Sequence, residues 1–339
     1  MAGVRSETWR YVGRRLLGYL VSVVAAFTVS FFFFHLIPGN PIEAYITRLQ
    51  QSYGYSAPVA SSLISFYEKE FGIQGSIWHQ YLLYLRNVLL HGNLGISFIA
   101  FPTPAQRLIA AALPWTIGLF GLAALLAWLL GVALGIVVGW FRQSPASQWA
   151  TTVALGLSQI PYYLVALALV YLLAYHFSVF PVSDAYDPAL HPGWNLAFVG
   201  SVIRHATLPA LSLVLVGLSG WLVSTRSLVV SILGEDYLLF AEAKGLRPAR
   251  ILNRYVLRNV MLPQVTGLAI SLGFVVNGAY LVEYIFNWPG IGYLFVQALG
   301  QLDYNVIEGV VLMSILAVLT ANLIIDLLLP LFDPRVRYQ

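Results

Sequence analysis

Chemistry requires donors, acceptors and nucleophiles at defined spacing, and this chain supplies few. Its two lysines are Lys69, within Glu-Lys-Glu, and Lys244, followed by Gly245. Neither stands in Gly-Lys-Ser/Thr, where backbone amides and one ammonium hold nucleotide phosphates. The histidines (His35, His79, His91, His176, His191 and His205) are scattered, with no i,i+4 pair and no H-E-x-x-H. With no cysteine, thiolate metal sites, disulfides and cysteine nucleophiles are excluded. Gly217-Leu218-Ser219-Gly220 comes nearest to a nucleophile elbow but lacks the G-x-S-x-G spacing. Nucleotide hydrolysis, zinc chemistry and acyl transfer therefore find no support. What does stand out is a cationic cluster: Glu235-Asp236-Tyr237, Ala241 to Pro248, Arg254, Arg258-Asn259 and Leu262-Pro263. Within it Gly245 permits a sharp bend, and the small Ala241 and Ala243 allow close approach of another surface. Two readings fit: a docking surface, or a positive loop whose arginines sit near lipid phosphates and fix topology.

The elements that must position this cluster are membrane spans. Of the 339 residues, 59% are hydrophobic and 9% charged, against about 25% charged in an average soluble domain. Lipid removes the need for a polar surface. A span needs roughly 20 apolar residues, and six runs qualify: Leu16–Ile37, Trp115–Phe141, Trp149–Phe180, Leu208–Thr225, Val260–Val282 and Val310–Ile325. The first is too long for a signal core and is followed by Pro38-Gly39-Asn40-Pro41, not a cleavage site. Residues 40–107 are mixed, and pieces such as Ile77–Leu90 fit helices lying on the membrane surface or packing beside it. The third run contains Pro161.

Charge orients these spans. Six crossings with the N-terminus inside place Arg5, Arg10, Arg14, Arg15, Arg142, Arg226, Lys244, Arg247, Arg250, Arg254, Arg258, Arg335 and Arg337 on the cytoplasmic side. Only Arg48, Lys69, Arg86, Arg107 and Arg204 fall outside. That bias predicts both termini in the cytoplasm. The net charge of +4 needs no nucleic acid to explain it. No acidic residue falls at mid-span, which disfavours a proton- or sodium-coupled carrier.

The cationic segment, with the form D-Y-x-x-x-A-x-A-K-G-L then R-N-x-x-L-P, resembles the cytoplasmic coupling loop of permease subunits of ATP-binding-cassette importers. Its form is that of the dipeptide/oligopeptide/nickel subfamily. The resemblance runs along nearly the whole chain. Arg14-Arg15-Leu16 through Pro38-Gly39-Asn40-Pro41 is similar to the first of the two paired permeases. Gln80-Tyr81 with Gly92-Asn93-Leu94-Gly95-Ile96-Ser97 resembles Q-Y…G-D-L-G-x-S, with Asn93 in place of Asp. Leu113-Pro114-Trp115-Thr116 resembles L-P-x-T, and Glu283 to Gly292 resembles E-x-x-F-x-x-P-G-x-G. Asp326 and Asp333-Pro334-Arg335 are similar to the family's C-terminal end. The broader family's E-A-A before the loop glycine is here Leu239, Phe240 and Ala241.

The resemblance implies a single all-α domain over residues 1–339 with the type I importer permease fold of six spans, an external segment at 40–107 and a coupling loop at 234–259. It implies a second homologous permease, two ATPase subunits that carry ATP and magnesium, and an extracytoplasmic solute-binding protein, with no cofactor on this chain. The solute would be dipeptides, oligopeptides or a similar small molecule such as an oligosaccharide or nickel. The coupling residues would be Asp236, Tyr237, Ala241, Ala243, Lys244, Gly245, Leu246, Arg247, Pro248 and Arg254. Candidates for the translocation path are Asn277, Glu283 and Phe286, although Glu283 equally suits a structural cap or an ion pair and Asn277 an interhelical hydrogen bond. Asp326 is expected to pair with an arginine, and Gly131, Gly135 and Gly139 to let helices pack closely. The alternatives are a stand-alone carrier or channel, and a membrane enzyme or purely structural protein.

Overall fold

The computed structural model describes residues 2–35, 46–47, 50, 62, 76–273, 275 and 280–332. Among these the regular elements are helices, with one isolated bridge between Ile96 and Pro104. Helices α1 (Ala2–His35), α2 (Ile77–His91) and α3 (Ala105–Trp140) come first. Next are α4 (Pro145–Ser158) and α5 (Tyr162–Leu169), the latter continuing as a π-helical stretch, Val170–His176. The long α6 (Leu196–Ile232) leads to α7 (Asp236–Ala243). Then α8 (Pro248–Ile251) runs through a π turn, Leu252–Val256, into α9 (Leu257–Gly273). Last are α10 (Tyr280–Ile285), α11 (Ile291–Gln301) and α12 (Tyr304–Phe332). The chain divides into two compact units, Met1–Trp115 with Gly290–Gln339, and Thr116–Pro289.

In the first unit α1 and α12 pair antiparallel along their length. Tyr11 OH donates to the Asp326 carbonyl at 2.9 Å, and Arg15 bridges the Asp326 carboxylate at 2.9 Å, the arginine pairing expected of that acid. Tyr19 hydrogen-bonds Thr320, Phe27 packs with Leu312, and Phe34 meets Tyr304 edge-on. As one chain number rises the other falls, so the start of α1 and the end of α12 lie together.

In the second unit α3 and α6 lie nearly backbone to backbone. A Cβ added at Gly131 would sit 2.5 Å from Trp221 Cβ and 2.6 Å from the Leu218 carbonyl. At Gly135 it would meet Thr225 Cβ at 2.6 Å, and at Gly139 Val229 Cβ at 2.7 Å. The small-residue stripe read from the sequence is thus a helix-packing surface. Helix α4 covers the same pair through Ala154, which packs with Val138 and Leu222.

Among the described residues four helices are long and apolar enough to cross a bilayer: Arg10–Phe34, Ala105–Trp140, Leu196–Ile232 and Tyr304–Ile324. They outrun the expected spans. The 36 residues of α3 reach about 54 Å at 1.5 Å each, against roughly 30 Å of hydrocarbon. Hydropathy marks the thickness of lipid, whereas a helix stops only at a cap or a breaker. Hence α6 begins at Asn195, whose side chain accepts from Phe198 N, and runs 37 residues through Pro209. The third expected span is not one straight helix: α4 and the α5 stretch are bent by 99°. Pro161 sits at the break as the N-cap of α5 and has no N–H with which to continue the α4 ladder. The fifth expected span, Val260–Val282, enters α9 and reaches α10, but residues 274 and 276–279 between them lie outside the described residues.

Candidate functional site

The cationic segment folds as a bent pair of short helices within the second unit. Glu235 precedes α7 in extended conformation and Asp236 sits in its first turn, where negative charge suits the helix N-terminus. The helix ends in a Schellman motif. Leu246 N–H donates to the Ala241 carbonyl at 3.3 Å and Gly245 N–H to the Glu242 carbonyl at 2.8 Å. Gly245 takes the left-handed position this motif requires, with φ of +72°. Then Arg247 turns the chain and Pro248 opens α8 at its first position, where a missing N–H costs nothing.

One face of the bend is anchored. Leu238, Ala241, Ile251, Val256 and Val260 form a buried cluster with Val229 of α6, and Leu246, Ile232 and Trp140 pack on it. The other face is open: Tyr237, Leu239 and Phe240 are exposed by 41%, 58% and 63%. Lys244 Nζ lies 4.5 Å from the Phe240 ring centroid. Asp236, Ala243, Lys244, Arg247, Pro248 and Arg254 are all exposed. The ten residues read as coupling residues therefore separate. Ala241 and Leu246 turn inward and hold the bend, while the remainder presents its surface. The Asn259 side chain donates to Tyr237 OH at 3.2 Å and to the Tyr255 carbonyl at 2.8 Å. That bond ties the R-N motif to the D-Y motif across 22 residues. A cavity of about 360 Å³ opens beside the bend, lined by Trp140, Arg142, Leu233 and Glu242 among others.

Other motifs also meet in pairs. Thr116, from L-P-W-T, donates through Oγ1 to Glu283 Oε1 at 2.7 Å, and Glu283 is fully buried. Phe286 is buried too, at 2% exposure, and its carbonyl accepts from Asp184 N–H at 2.8 Å. The Asp184 side chain accepts from Asn287. Both residues have positive φ, +72° and +51°, which short amide and carboxyl side chains tolerate. Of the path candidates, Glu283 and Phe286 thus lie inside the packing of the second unit, and Asn277 lies outside the described residues.

In the first unit Ser97 Oγ and Ile99 N–H both donate to Asp303 Oδ2, at 2.5 and 3.0 Å. The Asn305 side chain donates to the Ile96 carbonyl at 2.8 Å. A Cβ at Gly95, where φ is +89°, would strike Asn305 at 2.7 Å. The Gly92–Ser97 motif is thus a loop clamped onto the turn before α12. Thr116, Asp184, Asp303 and Asn305 were not singled out from sequence as partners. Their signal was only that Thr116 lies within a family motif.

Residues 131–338 match the family described as "Binding-protein-dependent transport system inner membrane component". The chain is similar to the "Dipeptide transport system permease protein DppB" of Escherichia coli (strain K12), at 30% identity over 97% of this chain and 99% of that protein. It is also similar to the "Glutathione transport system permease protein GsiC" of the same strain, at 29% identity over 97% of this chain and 99% of that protein. A match over most of the chain, together with several apolar helices of spanning length, makes this a multi-pass membrane protein of the binding-protein-dependent transport system inner membrane component family, and a permease subunit of such an importer.

Proposed function

We propose that the chain forms half of the path by which short peptides enter the cell, paired with a second homologous permease. The similar proteins are named for dipeptide and glutathione transport, and glutathione is itself a peptide. Two ATPase subunits supply ATP and magnesium, and an extracytoplasmic binding protein delivers the solute; this chain binds no cofactor and catalyses no reaction. The bend at residues 236–251 is the surface the ATPase grips. One observation carries this reading: the bend is rigidly anchored on one face and bare on the other, with exposed Tyr237, Leu239 and Phe240 beside a row of cations. A part that transmits motion needs a stiff base and differential contacts in two partner states.

Six crossings with both ends in the cytoplasm fit this assignment. The antiparallel α1–α12 pair supports two ends on one side and with them an even number of crossings. Among the described residues four long helices and the bent α4–α5 pair make five, and this reading counts the apolar run Val260–Val282 of the sequence as the sixth. The buried Glu283 and Phe286 then set the packing around the path rather than line it.

Gly245→Val tests the coupling assignment. No atom lies within 4 Å of the added Cβ, so the substitution acts through backbone strain, about 1–2 kcal/mol for a left-handed residue. The expected result is normal membrane insertion with ATP hydrolysis uncoupled from uptake in the reconstituted complex. Wild-type uptake per ATP hydrolysed would overturn the assignment.

A further inference from the structure

Helix α2 is capped at both ends, by Ser76 and by Gly92 in left-handed conformation. Its inner side is well defined. Tyr81, Tyr84, Leu85 and Val88, at i, i+3, i+4 and i+7, pack on α1 and α12. Phe31 meets Tyr81 and Tyr84 at 5.3 Å, and Tyr81 OH hydrogen-bonds Thr28 at 2.7 Å. Burial, and after it the Glu308 carboxyl, push the Tyr84 phenol above its ordinary range, so this side carries no phenolate.

Beside it runs a second apolar strip that the chain leaves bare. Trp78, Leu82 and Leu89 are 64%, 64% and 49% exposed. At 3.6 residues per turn they fall within about 40° of one another. The exposed Arg86 and His79 come next around the helix. Exposed Val29 and Phe33 continue the apolar surface on α1.

Depth follows from the contacts. Helix α2 touches α1 between Phe27 and Phe32, and among the described residues the apolar run of α1 reaches Phe34. At 1.5 Å per residue the contact band lies about 3–10 Å inside that end. Interfacial helices lie at this depth, roughly 5–10 Å into the boundary, with aromatic rings at headgroup level.

We propose that α2 is a membrane-interface helix whose Trp78, Leu82 and Leu89 seat among the acyl chains of the leaflet at the Phe34 end of α1, with Arg86 and His79 at the phosphates. The proposal holds whichever side of the membrane that leaflet faces, so its failure is separate from failure of the topology or of the coupling assignment.

The cysteine-free sequence allows single spin labels at Leu82→Cys, Leu89→Cys and Arg86→Cys. These are placed in the full importer, reconstituted in phosphatidylethanolamine–phosphatidylglycerol vesicles, and variants that retain uptake are measured. Labels at 82 and 89 should collide with dissolved oxygen several-fold more, relative to a water-soluble nickel chelate, than the label at 86. Nickel access at 82 and 89 equal to that at 86 overturns the proposal, because the strip then faces water. Poor access by both reagents overturns it equally, because a protein partner then covers the strip.

Discussion

Glu283 shows how a single buried acid is accommodated. Its carboxyl group has no solvent access and accepts a hydrogen bond from the Thr116 hydroxyl at 2.7 Å. Removing that hydrogen bond should cost about 0.5–1.5 kcal/mol, the range for an intramolecular hydrogen bond. Thr116→Val is therefore expected to lower the thermal unfolding midpoint of the detergent-solubilised complex, and Thr116→Ser to restore most of it. An unchanged midpoint in Thr116→Val would mean that the hydroxyl contributes nothing there. Both residues lie in motifs visible in the sequence, yet their partnership spans 167 positions and no local pattern encodes it. Asp303 makes the same point: it is buried and collects Ser97 and Ile99, 206 and 204 positions away, as donors. The glycine bend was more legible, because a Schellman motif is local and its φ requirement shows directly as Gly245.

Among the elements, α3 carries glycines of opposite meaning. Gly135 faces α6, where an added Cβ would meet Thr225 Cβ at 2.6 Å and the Leu222 carbonyl at 2.8 Å. Backbone cannot yield cheaply, so Gly135→Val should destabilise by about 1–3 kcal/mol, the usual cost of overpacking. Gly118, on the same helix, has nothing within 4 Å of an added Cβ. Gly118→Ala should therefore be neutral or stabilising by up to about 1 kcal/mol through helix propensity alone. Unfolding midpoints of the two variants in one detergent check the contrast; a fall in both would show that Gly118 too faces a packing surface. The four-residue spacing of Gly131, Gly135 and Gly139 made close packing legible, but not that α6 is the partner. Similarly, Pro161 was visible inside the third run, while the 99° bend depends on what packs against each arm. Helix ends were the least legible, since hydropathy reports lipid thickness and α3, α6 and α12 continue past it.

For the molecule as a whole the decisive quantity is parity. Residues 11, 19, 27 and 34 of α1 meet residues 326, 320, 312 and 304 of α12 in reverse order. A chain whose first and last helices pair this way crosses the membrane an even number of times, and the charge distribution then chooses among even numbers. With four crossings, α1, α3, α6 and α12 alone, the segment carrying Lys244, Arg247, Arg250, Arg254 and Arg258 would fall outside, against the positive-inside bias. With six it falls inside, on the side of Arg142 and the arginines of α1. Two single-cysteine variants decide it, Arg250→Cys on the exposed bend and Trp194→Cys in the fully exposed loop before α6. A membrane-impermeant maleimide should label position 194 in intact cells and position 250 only after permeabilisation. The same outcome at both positions, labelling with or without permeabilisation, would mean that α6 between them does not cross and would overturn either count. Labelling of position 250 in intact cells and of position 194 only after permeabilisation is the four-crossing pattern, and it would remove the α4–α5 crossing, put the bend outside and overturn the six-span topology.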